Sequence, residues 1–369
     1  EAAIRDSGGS VRAGDLVGLA GLQRVHDPLL MGTTVGRGLE KLEFKQLQWP
    51  GHGVGDMQPF QYLDREYMTA DEYDDFLFDP TGFYLHQYLP RVAGAFEGFA
   101  KLPDFAGLHY FRLVHGIRPF ALPEVRASFE KIVAAAEEMN VMFGHHLDWT
   151  QRIAAAGFPL FNGGNSIAPY DFIADYFRGA TGMMKDLFRH KDKLKLVLDK
   201  AAVFLARMTI RNARAADHPI VFIPTHWAPD AFMSPKQFEE FWWPSFRRML
   251  LELIDAGLVP MPMWESDCTK RLEVIKDIPP GTCIYWFERT DMVRAFEVLG
   301  DRVALRGNLS PSMLTTGTPD EVDAAVRHLV DQVWRKGGKL ILDGAFGIPD
   351  ETPVANVRAM FAAARKYAG

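Results

Sequence analysis

Residues 303–356, VALRGNLSPSMLTTGTPDEVDAAVRHLVDQVWRKGGKLILDGAFGIPDETPVAN, decide the fold. They hold two short apolar strands, Val303–Arg306 and Lys339–Asp343. Each strand runs into a polar turn containing glycine, at Gly307-Asn308 and from Gly344 onward, and an amphipathic helix lies between them. Strand, turn and helix repeated in this way is the unit of a parallel α/β barrel, which presents ligand-facing groups at its strand ends.

Working outward, further apolar runs bounded by turn residues read as strands at Asp15–Leu19, Phe158–Phe161, Ile220–Ile223, Val259–Met263 and Cys283–Phe287. With Val303–Arg306 and Lys339–Leu342 these make seven, so an eighth strand is expected before Glu1. Helical spacing of apolar residues marks Pro123–Ala156, Asp186–Ala215, Pro235–Ala256, Met292–Leu299, Pro319–Lys336 and Pro353–Tyr367. Three helices open on a hydroxyl residue followed by proline: Ser234-Pro235, Thr318-Pro319 and Thr352-Pro353. The hydroxyl can cap free N–H groups, and proline fits the first turn. Regular alternation implies a parallel sheet. The expected fold class is therefore α/β, a (β/α)8 TIM barrel whose first strand is missing from the chain. An open doubly wound sheet is the alternative, but no GxGxxG follows an early strand. Residues 36–90 break the alternation, being loop-rich, aromatic and acidic, and read as a loop-rich N-terminal excursion over the barrel mouth or a dimer contact.

A chain of 369 residues fits one such barrel, which commonly takes ~250 residues or more, and no linker, repeat or low-complexity tract divides it. A single domain over 1–369 is expected. A formal charge of −6 argues against a nucleic-acid surface. The apolar runs are far shorter than the ~20 residues needed to span a bilayer, and the start at Glu1 has no signal-peptide pattern. With only Cys268 and Cys283, no disulfide framework is implied, so a reducing cytoplasm is expected.

Barrel enzymes place their chemistry at the C-terminal strand ends. In this chain those ends offer Asn162, Asn165, His226, Asp230, Glu265, Asp267, Cys268, Glu288, Asp291, Asn308 and Asp343. Glu265 and Asp267 stand two apart beyond an apolar strand and point the same way if the backbone stays extended. Crowded carboxylates raise one another's pKa, so one could donate a proton or both could hold a metal with His226 and Cys268. Each has a plainer reading. Asp267 can cap the helix near Thr269, Glu265 can pair with Arg271, and His226 can be a satisfied structural histidine. Asn308 can serve a turn that needs Asn in the left-handed region, and Cys283 reads as core. Trp227 and Phe346 are the aromatic candidates to line a substrate mouth, with Asn162, Asn308 and Asp343 as its polar contacts. His52 could reach down from the excursion, whereas His145-His146 do not have ligand spacing for one helix face.

The Gly307-Asn308-Leu309-Ser310-Pro311 turn and the strands around it resemble the uroporphyrinogen decarboxylase superfamily over roughly Leu39 to Tyr367. The Trp49-Pro50-Gly51-His52-Gly53 loop is similar to its methyltransferase-type, corrinoid-dependent branch. The porphyrin decarboxylase's basic Arg-Gln-Ala-Gly-Arg segment does not occur, and Ala345-Phe346-Gly347 stands where its Gly-His-Gly turn is expected. A mouth lined by Glu265, Asp267, Glu288 and Asp343 is expected to repel a polycarboxylate, because each like-charge pair at ~4 Å costs about 4 kcal/mol at an effective dielectric near 20. The His-x-Cys and final Cys of the zinc-binding, thiol-methylating relatives are replaced here by Glu265-x-Asp267 and Phe346, leaving a harder, oxygen-rich site in which zinc or another divalent metal stays open.

The resemblance implies methyl transfer from a small methylated compound, an aromatic O-methyl substrate being favoured, to a cobalamin (corrinoid) held by a partner protein. Glu265, Asp267 and His226 are the candidate catalytic residues, and an acid among them would neutralise the leaving group. A decarboxylating lyase and a non-catalytic corrinoid or tetrapyrrole binder remain as alternatives. A homodimer is expected as well, with neither nucleic acid nor membrane as a partner.

Overall fold

The computed structural model describes residues 35–55, 61–157, 163–345, 347–349 and 351–368. They group into two compact units, one drawn from residues 163–173 and 194–368, the other from 35–157 and 174–193.

The second unit is mostly helical. Its small sheet joins β1 (Leu47–Pro50) to β2 (Gly53–Val54) in parallel and to β3 (Gln61–Tyr62) in antiparallel fashion. Residues 36–90 therefore carry short strands and helical turns of their own and add nothing to a parallel βα repeat. A buried ion pair organises this unit: Arg178 Nε lies 2.7 Å from Asp186 Oδ2, with side chains 3% and 1% exposed. The Tyr73 hydroxyl donates to the same carboxylate, and Arg178 also donates to the Met68 carbonyl. Burial raises the Tyr73 hydroxyl pKa well above its ordinary value, which keeps it a donor. Residues 179–216, expected as one helix from Asp186, form two, Gly179–Arg189 and Lys191–Ala216, broken at His190. The backbone there leaves helical dihedrals, although residue spacing reads smoothly across the break.

The first unit contains the parallel α/β sheet that the sequence implies. Six strands run parallel and in chain order: β4 (Gly164–Asn165), β5 (Ile220–Thr225), β6 (Val259–Trp264), β7 (Ile284–Phe287), β8 (Ala304–Leu309) and β9 (Leu340–Gly344). Five of these coincide with the expected runs. The expected strands Asp15–Leu19 and Phe158–Phe161 lie outside the described residues. β4 begins just beyond the latter, pairing Gly164 with Val221 and Asn165 with Phe222.

Alternation sets the two faces of the sheet. Along β5, Val221, Ile223 and Thr225 are fully buried, while Ile220, Phe222 and Pro224 are partly open. The same alternation runs along β8 from Ala304 to Leu309. The buried face packs on an aromatic layer in which Trp264 lies 5.6 Å from Trp242 and 5.3 Å from Tyr285. A buried aromatic side chain removes roughly 150–250 Å² from water, worth about 4–6 kcal/mol each as an upper bound.

Proline-led helix starts behave as their sequences imply in two cases. Ser234 Oγ accepts from Gln237 N, and Gln237 answers at Ser234 N, closing a capping box at Pro235. Thr318 and Glu321 repeat it at Pro319. Thr318→Ala is expected to cost ~1 kcal/mol and lower the melting temperature by a few degrees; calorimetry of the two proteins checks this. The third case differs, because the buried Thr352 hydroxyl has no hydrogen-bond partner among the described residues.

Gly307 is where the chain needs glycine. Its φ of +113° lies in the region L side chains avoid, and an added Cβ would meet the Phe287 carbonyl oxygen at 2.5 Å. The expectation that Asn308 occupies the left-handed region is thus corrected: the preceding glycine carries the positive φ, and Asn308 lies within β8.

Candidate active site

Parallel strands deliver their C-terminal ends to the same side of a sheet. The register pairs Met263 with both Pro224 and Trp286, Arg306 with Trp286 and Ile341, and Asn308 with Asp343. On the partly open face the rings of Phe222 and Trp286 lie 6.0 Å apart, and the Arg306 guanidinium lies 4.1 Å over the Trp286 ring. Two-residue steps along this face lead to His226, Glu265, Glu288, Asn308 and Asp343 at the strand ends.

The central feature is the pair His226–Glu265. Nε2 of His226 lies 3.7 Å from Glu265 Oε1, with side chains 40% and 27% exposed. At that exposure the pair contributes at most ~1 kcal/mol to stability. Its interest is chemical, because an imidazole and a carboxyl this close can pass a proton through one bridging water or once the gap tightens around a substrate. Trp227 follows His226, with its ring 5.2 Å from Phe232 and 6.2 Å from Tyr170, so one side of this strand end is aromatic.

Two residues hold this loop: Asp171, which sequence reading did not single out, and Arg271, which it read only as a partner for Glu265. Asp171, fully buried, accepts from the backbone N–H groups of His226 and Trp227 through Oδ2 and from Trp242 Nε1 at 2.7 Å through Oδ1. Three donors on one carboxylate offset its desolvation and fix where the chain leaves β5. Arg271, 1% exposed, donates to the carbonyls of Ala228, Pro229 and Met233 and lies 3.3 Å from Asp230. Burial lowers its pKa, and Asp230 opposes that shift. Asp171, in the short proline-led helix Pro169–Ile173, gave no periodic signal, because its partners are backbone groups 55 and 56 positions away.

The remaining expected site residues separate. Asp267 turns back on its own loop, accepting from the backbone N–H and hydroxyl of Thr269 at 2.9 and 2.6 Å, so its carboxylate does the capping that was the plainer reading. Asp230 is the counter-ion of Arg271, which corrects the expected Glu265–Arg271 pairing. Asp291 caps the helix Met292–Leu299, accepting from Val293 N and Arg294 N. Asn308 donates to the Thr290 carbonyl at 2.8 Å. Asp343 Oδ2 binds Arg306 Nε at 2.8 Å, and Glu288 accepts from Ser266 N with Arg289 3.5 Å away.

The expected crowd of unneutralised carboxylates is therefore corrected. Asp343 carries a guanidinium partner from the neighbouring strand, so the charge argument against polycarboxylate substrates loses much of its force. Asn162 and Phe346 lie outside the described residues, and so do the side chains of His145 and His146. His52 stacks on Trp49 at 4.9 Å within its own turn.

A metal held by Glu265, Asp267, Cys268 and His226 does not fit this arrangement. Asp267 is engaged with Thr269, and Cys268 is fully buried with its Sγ against the Glu265 carbonyl. Burial, then the nearby Asp230 carboxylate, pushes the Cys268 thiol well above its ordinary pKa, which opposes the thiolate that ligation needs. Among the described residues no group of three or more His, Cys, Asp and Glu could hold a metal ion. Cys283 is also buried, its thiol pushed up to about 12. Neither cysteine is expected to react with a disulfide reagent at pH 8 in the native protein, and both should react in denaturant. Rapid native labelling of Cys268 would contradict this assignment.

Comparison with known proteins agrees with the geometry. Residues 104–367 match the family described as uroporphyrinogen decarboxylase (URO-D). A uroporphyrinogen decarboxylase of Erwinia tasmaniensis is 25% identical over 278 residues, covering 73% of this chain and 76% of that protein. One from Syntrophotalea carbinolica is 29% identical over 124 residues, 34% of this chain and 35% of its own length. Among solved structures, a methyltransferase from Methanosarcina mazei superposes with a TM-score of 0.53 at 16% identity, covering 90% of this chain and 77% of its own. Six parallel strands in chain order, a residue cluster at their ends and a match over most of the chain lead to one conclusion: this protein belongs to the uroporphyrinogen decarboxylase family, with that family's α/β TIM-barrel fold.

Proposed function

We propose that this protein is an enzyme of the methyltransferase branch, taking a methyl group from a small aromatic O-methyl compound. The methyl acceptor is a Co(I) corrinoid presented as co-substrate by a partner protein, which supplies the nucleophile. The chain's own residues bind the donor and manage the leaving group. As the methyl carbon–oxygen bond breaks, its electron pair goes to the aryl oxygen, which must be protonated to leave as a phenol. Glu265 holds that proton, and His226, 3.7 Å away, restores it. Trp227, Phe232, Phe222 and Trp286 offer aromatic surface for the ring on either side of the pair. The His226–Glu265 contact carries this reading, and the fold shared with the Methanosarcina mazei methyltransferase is compatible with it.

The test is incubation with Co(I) cobalamin and a panel of aryl methyl ethers, following phenol release and cobalamin methylation in equal amounts. No turnover with any methyl donor in the panel overturns the proposal. A decarboxylating lyase is the second reading, favoured by the names of the Erwinia and Syntrophotalea relatives. It predicts CO2 release from an aromatic or tetrapyrrole acid without cobalt. A non-catalytic binder instead shifts a pigment's spectrum and forms no product. Chemistry with Co(I) requires a reducing compartment, which is the reason to place the protein in the cytoplasm. No helix among the described residues is long and apolar enough to cross a membrane.

A further inference from the structure

Residues 105–122, FAGLHYFRLVHGIRPFAL, contain no acid, although the chain as a whole carries a charge of −6. His109, Arg112, His115 and Arg118 are interleaved there with large apolar side chains. The inner side of the segment is anchored. Phe120 packs on the cluster of Phe99, Leu102 and Val125, with its ring 6.2 Å from Phe129 and 6.2 Å, edge-on, from Phe105. The outer side is a ridge of Tyr110, Phe111, Leu113, Val114 and Ile117, with Tyr110 82%, Phe111 71% and Val114 66% exposed. Leu113 N donates to Tyr110 O and Ile117 N to Leu113 O, so the ridge is held in short helical turns. Exposed apolar side chains scattered singly need no explanation, whereas a contiguous patch marks an interaction surface.

We propose that this ridge docks the protein on an anionic lipid surface. Tyr110 and Phe111 enter the headgroup layer, and Arg112 and Arg118 bind lipid phosphates. Charge complementarity selects that occupant. Neither arginine forms an ion pair among the described residues. Arg118 and His115 border a depression of about 640 Å³ beside the ridge. Arg112 and the same His115 border a second of about 400 Å³, so both cations edge one continuous patch. The neighbouring acids stand at its ends, where Asp104 lies 3.8 Å from His86 and Glu124 is bound by Lys101. Apolar side chains beside arginines are the composition of an interfacial segment, and aromatic rings collect at the headgroup level of bilayers. A second copy suits the patch poorly. A two-fold contact sets like on like and would bring four arginines together with no acid from 105–122 between them. A single-stranded nucleic acid would use the rings and the cations but leave Leu113, Val114 and Ile117 without a partner. This inference is independent of the reaction proposed above.

Flotation of the full chain, without substrate, on vesicles of equal parts phosphatidylcholine and phosphatidylglycerol tests it. The protein should float with these vesicles, stay behind with pure phosphatidylcholine, and be released as salt is raised. Arg112→Gln and Arg118→Gln should each weaken partition about fivefold, the effect of one cation near an anionic surface. Phe111→Ser should weaken it at least about tenfold through lost insertion. All three positions are exposed, so the circular dichroism spectrum and the urea midpoint should not move. Phe111→Cys carrying a polarity-sensitive fluorophore should shift to the blue on the anionic vesicles alone, because the native cysteines are buried and stay unlabelled. No flotation of the parent chain, equal flotation with neutral vesicles, or partition untouched by Phe111→Ser overturns the proposal. Release by inorganic phosphate beyond that by chloride at equal ionic strength also overturns it, assigning the cations to a free anion. So does preferential binding of a single-stranded oligonucleotide, or a dimer that Phe111→Ser dissociates.

Discussion

Glu265→Gln is expected to lower the rate of methyl transfer by ~10²–10⁴-fold, the usual contribution of a positioned acid or base. The substitution keeps the side chain's shape, so the half-buried strand end retains its packing while the transferable proton is gone. Because the carboxyl sits 3.7 Å from His226 Nε2, the imidazole loses its relay partner as well. His226→Asn should therefore fall in the same range, and the double variant should lose little more than either single, since two groups that act as one unit are not additive. Asp267→Asn is the control, because that carboxylate is spent on the Thr269 turn and should leave the rate near parental. Initial rates of phenol release for the four proteins decide the matter. Parental turnover by Glu265→Gln would remove the carboxyl from the chemistry and leave the fold assignment untouched.

Arg271→Ala is expected to be the most damaging change to stability, costing about 3–5 kcal/mol as for one half of a buried ion pair. The side chain is 1% exposed, its guanidinium lies 4.6 Å from the Phe238 ring centroid, and it serves three carbonyls as well as Asp230. Removing it strands the Asp230 carboxylate and leaves the Ala228, Pro229 and Met233 oxygens buried with one donor fewer each. Those residues form the loop that leaves His226, so activity should fall with stability. Urea unfolding followed by tryptophan fluorescence measures the loss directly. A midpoint unchanged within error would show that water replaces the guanidinium without penalty.

Much of this fold was legible before any coordinates. Val259–Met263 and Ile220–Ile223 are apolar runs between turn residues, and such runs form strands wherever they fall in a βα repeat. Ser234 and Thr318 cap their helices because capping is a local bond between neighbours three positions apart. The strand-end positions of His226 and Glu265 were legible for the same reason, since they follow directly from where an apolar run stops. Less was legible in the charges. Asp267, Asp291 and Asp230 look alike in sequence, being acids just beyond a strand, yet they cap a turn, cap a helix and balance a buried guanidinium. Asp171 was invisible because its partners are backbone groups and an indole far along the chain.

Taken by itself, the order of residues determined the α/β alternation, the helix starts and the end of the sheet at which polar groups gather. Each of these depends on neighbours within a turn or a strand. Only the tertiary structure decided that Glu265 faces His226, that Arg306 neutralises Asp343 and that Cys268 is sealed away from any ligand. Those outcomes depend on strand register and depth, which bring side chains from distant segments within a few ångströms and settle whether a charge meets water, a counter-ion or neither.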